Sequence, residues 1–480
     1  MSEHHDPAAH GHAHRDHEGA VAHAPPADAQ VAYTIAREGA QPAVDGRVVS
    51  VELEAGECDW QFVPGRHTRA WGFNGQVPGP VLEANVGDVL EVRLTNRLPE
   101  PTVIHWHGLR LPAPMDGTDM VQETVAPGAS FVYRFRLPDA GTFWYHSHHN
   151  ETVQMERGLY GALVVRAPGE PALDDERVLV LDDVALDRHG QIKHPGWWME
   201  QHDGRMGSTL LVNGRQSPDF TMSAGQVERW RIVNAASARY VRLSIGGRPF
   251  TLLGTDGGLI GAPVAMSEVL LAPSDRVDIA VGPFAAGETI HIESLPYDRK
   301  TIARSRNDLF ATVRVGAAAP STATIPSTLR QIEPLVTGPV APTREVHLGE
   351  RMSLTHGAEF SINGEQHHRD KPVTVGELQV WDVFNDSMMD HPFHLHGFFF
   401  QVVDVNGTPP AFLSWEDTFN IPPKTRVRIA WMPDDRPGEW MYHCHILEHH
   451  AAGMMGHFAV VRPGHEANAS SAAAHHHHHG

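Results

Sequence analysis

Three stretches of this 480-residue chain repeat one another. FNGQVPGPVLEANVGDVLEVRLTNRL begins at Phe73, LVNGRQSPDFTMSAGQVERWRIVNAAS at Leu211 and SINGEQHHRDKPVTVGELQVWDVFND at Ser361. Each runs from Asn-Gly to a glycine 11 or 12 residues further on (Gly87, Gly225, Gly376), then through alternating apolar residues to Asn96, Asn234 or Asn385. Asn-Gly marks a tight hairpin turn, because both residues tolerate positive φ. The alternation in VLEVRLTN and VERWRIVN has period two, which predicts half-buried strands. Units recurring about every 140 to 150 residues predict an all-β chain of three β-sandwich domains of common ancestry. Their expected bounds are 31–170, 171–320 and 340–463, with a Pro-, Ala- and Thr-rich linker over 321–339.

Outside the repeats lie two tails. Residues 1–30 are His-rich and of low complexity, and read as a disordered tail able to collect soft metal ions. They hold no apolar core of the signal-peptide kind. Residues 464–480 end in SSAAAHHHHHG, which reads as an affinity tag. No stretch approaches the roughly 20 apolar residues of a membrane span. A formal charge of -20 opposes binding to nucleic acid or anionic membranes. The only cysteines are Cys58 and Cys444. One disulfide would consume the thiol in HCH, so two free thiols are expected, with Cys58 a buried structural thiol.

The first and third copies agree further. From Asn74 to His105 is 31 residues, and from Asn363 to His394 is also 31, so HWHG (105–108) falls on HLHG (394–397). Downstream, GTFWYHSHHNETV (141–153) aligns without a gap on GEWMYHCHILEHH (438–450). The second copy has SIGG (244–247) near the HxHG position and lacks both histidines, which makes that domain a spacer or a wall. Four His-x-His pairs result: His105/His107, His146/His148, His394/His396 and His443/His445. In a strand, residues i and i+2 share a face, so each pair presents two imidazoles together. A single pair is ordinarily a surface or core feature. Four at matching repeat positions point to metal, since buried imidazoles are costly unless something binds them.

Imidazoles alone suit copper, zinc, iron or nickel. In HCH, however, Cys444 faces away from its neighbours and serves a different metal. His449 lies five residues after it, Met454 five further on, and His391 three before His394. One Cys, two His and a weak axial Met form the blue-copper electron-transfer arrangement.

HWHG, HSH, HPFHLHG and HCHILEHHAAGMM, in this order over residues 45 to 463, resemble the three-domain multicopper oxidases, in particular bacterial laccase-like enzymes. The resemblance implies three cupredoxin-like Greek-key domains and four copper ions. Type 1 copper would be held by His391, Cys444, His449 and Met454. Type 2 would take His105 and His394, and the type 3 pair His107, His146, His148, His396, His443 and His445. Asp116 matches an acid that assists proton delivery in relatives. Where several relatives carry a proton-relaying Glu after the second type 1 histidine, this chain has His450.

The expected activity is therefore laccase-type. Four one-electron oxidations of a phenol, aromatic amine or metal ion at type 1, through an exposed edge of His449, would drive reduction of O2 to water. A cuprous oxidase for copper tolerance is the alternative enzyme, with Met388 and Met389 as docking groups for Cu(I). A non-catalytic copper-binding electron-transfer protein is the alternative from another class. The resemblance also implies a periplasmic or secreted monomer acting on small molecules and O2.

Overall fold

All three Asn-Gly pairs turn as predicted in the computed structural model, which describes residues 21–22, 46–193, 198–301, 306–353 and 357–465. Asn74, Asn213 and Asn363 have φ of 56°, 50° and 53°, and Gly75, Gly214 and Gly364 follow at 72°, 69° and 80°. Two left-handed residues in succession make the type I′ turn that suits twisted hairpins. Each asparagine side-chain oxygen also accepts a backbone N–H from a neighbouring strand, Glu54, Val180 or His347, at 2.7, 2.8 and 2.8 Å. The asparagine closing each unit performs the same task in all three. Its amide donates to two carbonyls: Asn96 to Glu100 and Val125, Asn234 to Arg239 and Leu271, Asn385 to Met389 and Ile421. In the first and third copies these bonds pin the loops that lead into HWHG and HPFHLHG.

The strands assemble into three sandwiches. Five- and four-stranded sheets form the first, seven- and five-stranded sheets the second, and five- and six-stranded sheets the third. Each contains a parallel pair: Val48–Trp60 with Val89–Asn96, Asp175–Val184 with Glu228–Asn234, and Arg344–Ser353 with Gln379–Asn385. A hairpin cannot join parallel neighbours, so the chain crosses over between them, the Greek-key habit in all three. Three short helices occur among the described residues, Glu151–Gln154, Trp198–Asp203 and Leu447–Ala451. None is long and apolar enough to cross a membrane. We propose the division 31–170, 171–320 and 340–463, because apart from the two-residue strand Val21–Ala22 no sheet mixes strands from two of these stretches. The expected tails lie outside the described residues except for Val21, Ala22, Gly464 and His465.

Two expectations need revision. VERWRIVN was expected to be half-buried, yet Glu228–Asn234 is buried on both faces. Its outward arginines are not solvated: Arg229 and Arg231 both donate to Asp278, at 2.5 and 3.0 Å, and Arg231 reaches Thr142 of the first domain. Charge pairing within domain two, joined by Glu170 of domain one, buries what periodicity alone would expose. Cys58, expected to be buried, is only half-buried; both cysteines are free thiols. Burial and the neighbouring Asp59 push the Cys58 thiol up to about 11, which leaves it a poor nucleophile.

One continuous apolar core joins the first and third sandwiches, whereas the second has its own. Strand register then aims the histidines into the boundary between domains one and three. Ile104–His107 pairs antiparallel with Gly141–Ser147 so that His105 opposes His146. His391–Leu395 pairs with Gly438–Cys444 so that His394 opposes His443.

Candidate metal centre

Eight imidazoles from two domains interleave at that boundary. His107 stacks on His394 with ring centres 3.8 Å apart, and His105 lies 4.0 Å from His396. His445 stands 5.0 Å from His107 and 5.6 Å from His146, while His148 is 5.1 Å from His396 and 5.6 Å from His443. All eight are buried.

Most rings are anchored by one nitrogen and present the other inward. His105 and His394 place Nδ1 2.8 and 2.9 Å from the carbonyls of Asp116 and Asp417. His146 and His443 do the same to Ser147 and Cys444, both at 2.9 Å. His396 Nδ1 lies 2.8 Å from Asp116 Oδ2 and His148 Nδ1 2.9 Å from Glu151 Oε1. His107 is reversed, with Nε2 on Asp417 Oδ1 at 3.0 Å and Nδ1 inward. The inward nitrogens of His105, His107, His146, His148 and His394, and both nitrogens of His445, have no partner. His396 Nε2 and His443 Nε2 face each other at 3.0 Å. With their protons held at Nδ1, two lone pairs would meet there, a clash that a cation between them relieves. Burial, reinforced by the other imidazoles, holds His105, His396 and His443 well below the usual imidazole range, so the rings are neutral and free to act as ligands. His148 is the exception: burial lowers it, but the Glu151 carboxylate outweighs burial and the net direction is up.

The second donor set is smaller. Cys444 Sγ, His391 Nδ1 and His449 Nδ1 form a triangle with edges of 3.5, 3.5 and 3.1 Å. Its centre is roughly 2 Å from each corner, close to the bond lengths of first-row metals to imidazole and thiolate. His391 Nε2 is 2.8 Å from Ser387 Oγ. Met454 is fully buried, donates its N–H to the His449 carbonyl at 3.0 Å and accepts that of Cys444 at 3.1 Å. Burial pushes the Cys444 thiol up to about 12, so only a bound cation would make it a thiolate.

Family models described as multicopper oxidase match residues 54–170, 182–286 and 339–464. The chain belongs to the multicopper oxidases. It is 32% identical to multicopper oxidase MmcO of Mycobacterium tuberculosis, over 80% of this chain and 81% of that one. Its fold matches the Campylobacter jejuni multicopper oxidase described as a metallo-oxidase, with a TM-score of 0.77, 32% identity and coverage of 86% and 92%. It is also 30% identical to the cell division protein FtsP of Dickeya dadantii, over 83% of this chain and 86% of that one. The three domains are cupredoxin-like, as expected.

Around the donors of this multicopper oxidase stand three residues that sequence reading passed over. Glu151 bridges domains one and three, with Oε2 2.8 Å from His450 Nδ1 and Oε1 toward His148. A carboxylate therefore stands beside His450, which stacks on His443 with ring centres 4.2 Å apart. The repeat alignment held the signal, since it sets Glu151 on Glu448. Asp417 and Arg276 had none. Asp417 holds His107 and the His394 region, and Arg276 of domain two grips Asp417 through both oxygens, 2.7 Å for the longer contact. Burial works to raise the Asp417 carboxyl, but Arg276 outweighs it and the direction is down. Domain two thus props the site rather than merely spacing it. Gly108 of HWHG is needed at this spot: its φ is +84°, and a Cβ would meet Arg276 Nη2 at 2.4 Å and Asp417 Oδ2 at 2.6 Å.

Two expectations near Cys444 are corrected. His449 has no exposed edge, because its Nε2–H donates to the His202 carbonyl at 2.8 Å and its ring stacks on Phe360 at 4.0 Å. Met389 is buried and cannot dock a metal ion, whereas Met388 is 62% exposed.

Proposed function

We propose that this enzyme couples four one-electron oxidations of a small donor to the reduction of O2 to two waters. In this reading His391, Cys444, His449 and Met454 hold type 1 copper, and His105 and His394 hold type 2. His107, His146, His148, His396, His443 and His445 hold the type 3 pair. The carrying observation is the set of buried, neutral, inward-facing imidazole nitrogens without partners, beside a Cys-His-His triangle whose Cys444 shares a strand with His443. Copper bound there supplies one-electron redox chemistry, four ions matching the four electrons that O2 requires. Cys444 adjoins both His443 and His445 in sequence, so single peptide units join the two donor sets. A non-catalytic role leaves eight convergent imidazoles without a task.

Asp116 is the proton-handling group. Its Oδ2 holds His396, while Oδ1 is buried without a hydrogen-bond partner. Burial pushes its carboxyl up to about 7, which suits a group that carries a proton at Oδ1 near neutrality. Asp116→Asn is expected to lower O2 reduction about 10²- to 10⁴-fold. Anaerobic bleaching of the blue band by the donor should continue at the original rate, and slowed bleaching would remove Asp116 from this role.

The surface over His449 favours a soft metal ion among the donor classes. Glu350 Oε1 accepts the Met388 N–H at 2.9 Å and Oε2 lies 3.9 Å from His202 Nε2, while Met352, two residues along the strand from Glu350, is 56% exposed. Glu350 thus links His202, which covers His449, to the Met388 backbone, and the exposed thioethers of Met388 and Met352 are carried on the same two segments. Met388→Leu is expected to lower kcat/KM for Cu(I) about tenfold while leaving that for a phenol unchanged. The opposite pattern on one preparation would favour a phenol oxidase. On family grounds we place the enzyme outside the cytoplasm as a monomer.

A further inference from the structure

One large cavity runs from the cluster's edge to the surface, and most of its wall has no role in the chemistry above. It has a volume of about 830 Å³ and opens between domains one and three. Its buried end is formed by His148, Glu151 and His450, and its exposed end includes His367 and Arg369. The wall between them follows from strand register. Gly438–Cys444 and Met455–Val461 run antiparallel with His443 opposite Met455, Met441 opposite His457 and Glu439 opposite Ala459. Residues 439, 441 and 443 share a face, and directly opposed residues share it with them. His443, Met455, Met441 and His457 therefore form a continuous patch of sulfur and nitrogen donors from a cluster ligand toward the surface.

Further donors join the patch. His367 Nδ1 lies 2.9 Å from Met455 Sδ, and its own φ of 54° shows a side chain held at a left-handed backbone position. His457 Nδ1 is buried and has no hydrogen-bond partner. Met120 of domain one lines the opposite side and Asp119 adds a carboxylate, while Glu439 is paired with Arg369 at 2.9 Å. A passage for O2 or water needs no such chemistry, and aliphatic side chains would pack the wall equally well. Thioethers with imidazoles are the ligand set that selects Cu(I).

We propose that this cavity is a Cu(I)-binding site through which copper reaches the trinuclear cluster. The inference rests on reading the eight imidazoles as copper ligands. It separates the loading of the cluster from that of type 1, whose triangle lies on the other face of the Gly438–Cys444 strand.

The test is timed reconstitution of the full-length, copper-free protein with Cu(I) held by a weak chelator under anaerobic conditions. Samples are desalted, oxidised in air and read for the blue thiolate band and for the type 2 electron paramagnetic resonance signal. In the double variant Met455→Leu/His457→Gln, cluster filling is expected to slow roughly tenfold or more, with type 1 filling at the original rate. Equal cluster filling in variant and parent overturns the proposal. Should the double variant fail to fold, seen as loss of the blue band, Met120→Leu on the facing wall replaces it. That variant must show the same selective delay, and its absence is equally fatal. A parent protein that never fills the cluster instead refutes the oxidase reading itself.

Discussion

Cys444→Ser is expected to leave a folded protein whose donor-dependent oxygen uptake has fallen on the order of a thousandfold or more. The sulfur is the one donor in its triangle that no neighbour can replace, since His391 and His449 already supply the other two corners. A serine hydroxyl at that fully buried position does not ionise and would leave two imidazoles facing an incomplete site. The structural cost is small by comparison, about 1–2 kcal/mol for burying a hydroxyl in place of a thiol. The eight cluster histidines keep their anchoring partners, so copper at that centre is retained. Absorption, an oxygen electrode and metal analysis on one preparation check this together. The blue band and the uptake should vanish, with one copper lost per chain. A colourless Cys444→Ser protein that kept full oxygen uptake would mean that electrons enter elsewhere.

Arg276→Met is expected to destabilise the protein by about 3–5 kcal/mol and to strip copper from the cluster while sparing type 1. Arg276 is fully buried and faces two carboxylates, Asp417 and Asp256, the latter 3.2 Å from its Nη1. It also donates from Nε to the Thr142 carbonyl of domain one, so one side chain ties three domains together. Without the guanidinium, burial drives both carboxyls toward protonation. Asp417 then ceases to be a fixed acceptor for His107 Nε2, and the ring is free to turn its Nδ1 away. Outer partners of this kind typically govern metal affinity by 10- to 100-fold. Arg276→Lys keeps the charge without the two-pronged grip and should fall between parent and Met variant. Thermal unfolding with copper analysis of each variant checks the order. Full cluster occupancy in Arg276→Met would make the clamp a stability device alone.

The division of labour between sequence and structure follows from what periodicity can encode. The Asn-Gly turns and the closing asparagines were legible because each satisfies a local backbone requirement repeated three times. The His-x-His pairs were legible because a strand alternates its faces, and register set His105 against His146 and His394 against His443 as that alternation requires. Asp417 and Arg276 were not, because their partnership spans 141 residues and two domains and leaves no spacing to read. Glu151 lay between these cases, since the alignment that matched the histidines also matched it to Glu448. The cover on His449 was hidden for the same reason as Arg276: His202 comes from domain two, 247 residues away.

Copper count and visible absorption, measured together on loaded protein freed of loosely held metal, bear most directly on the central claim. Four coppers per chain with an intense blue band from the thiolate are the expected result. Fully loaded protein that is colourless, or that holds a single copper, would contradict it.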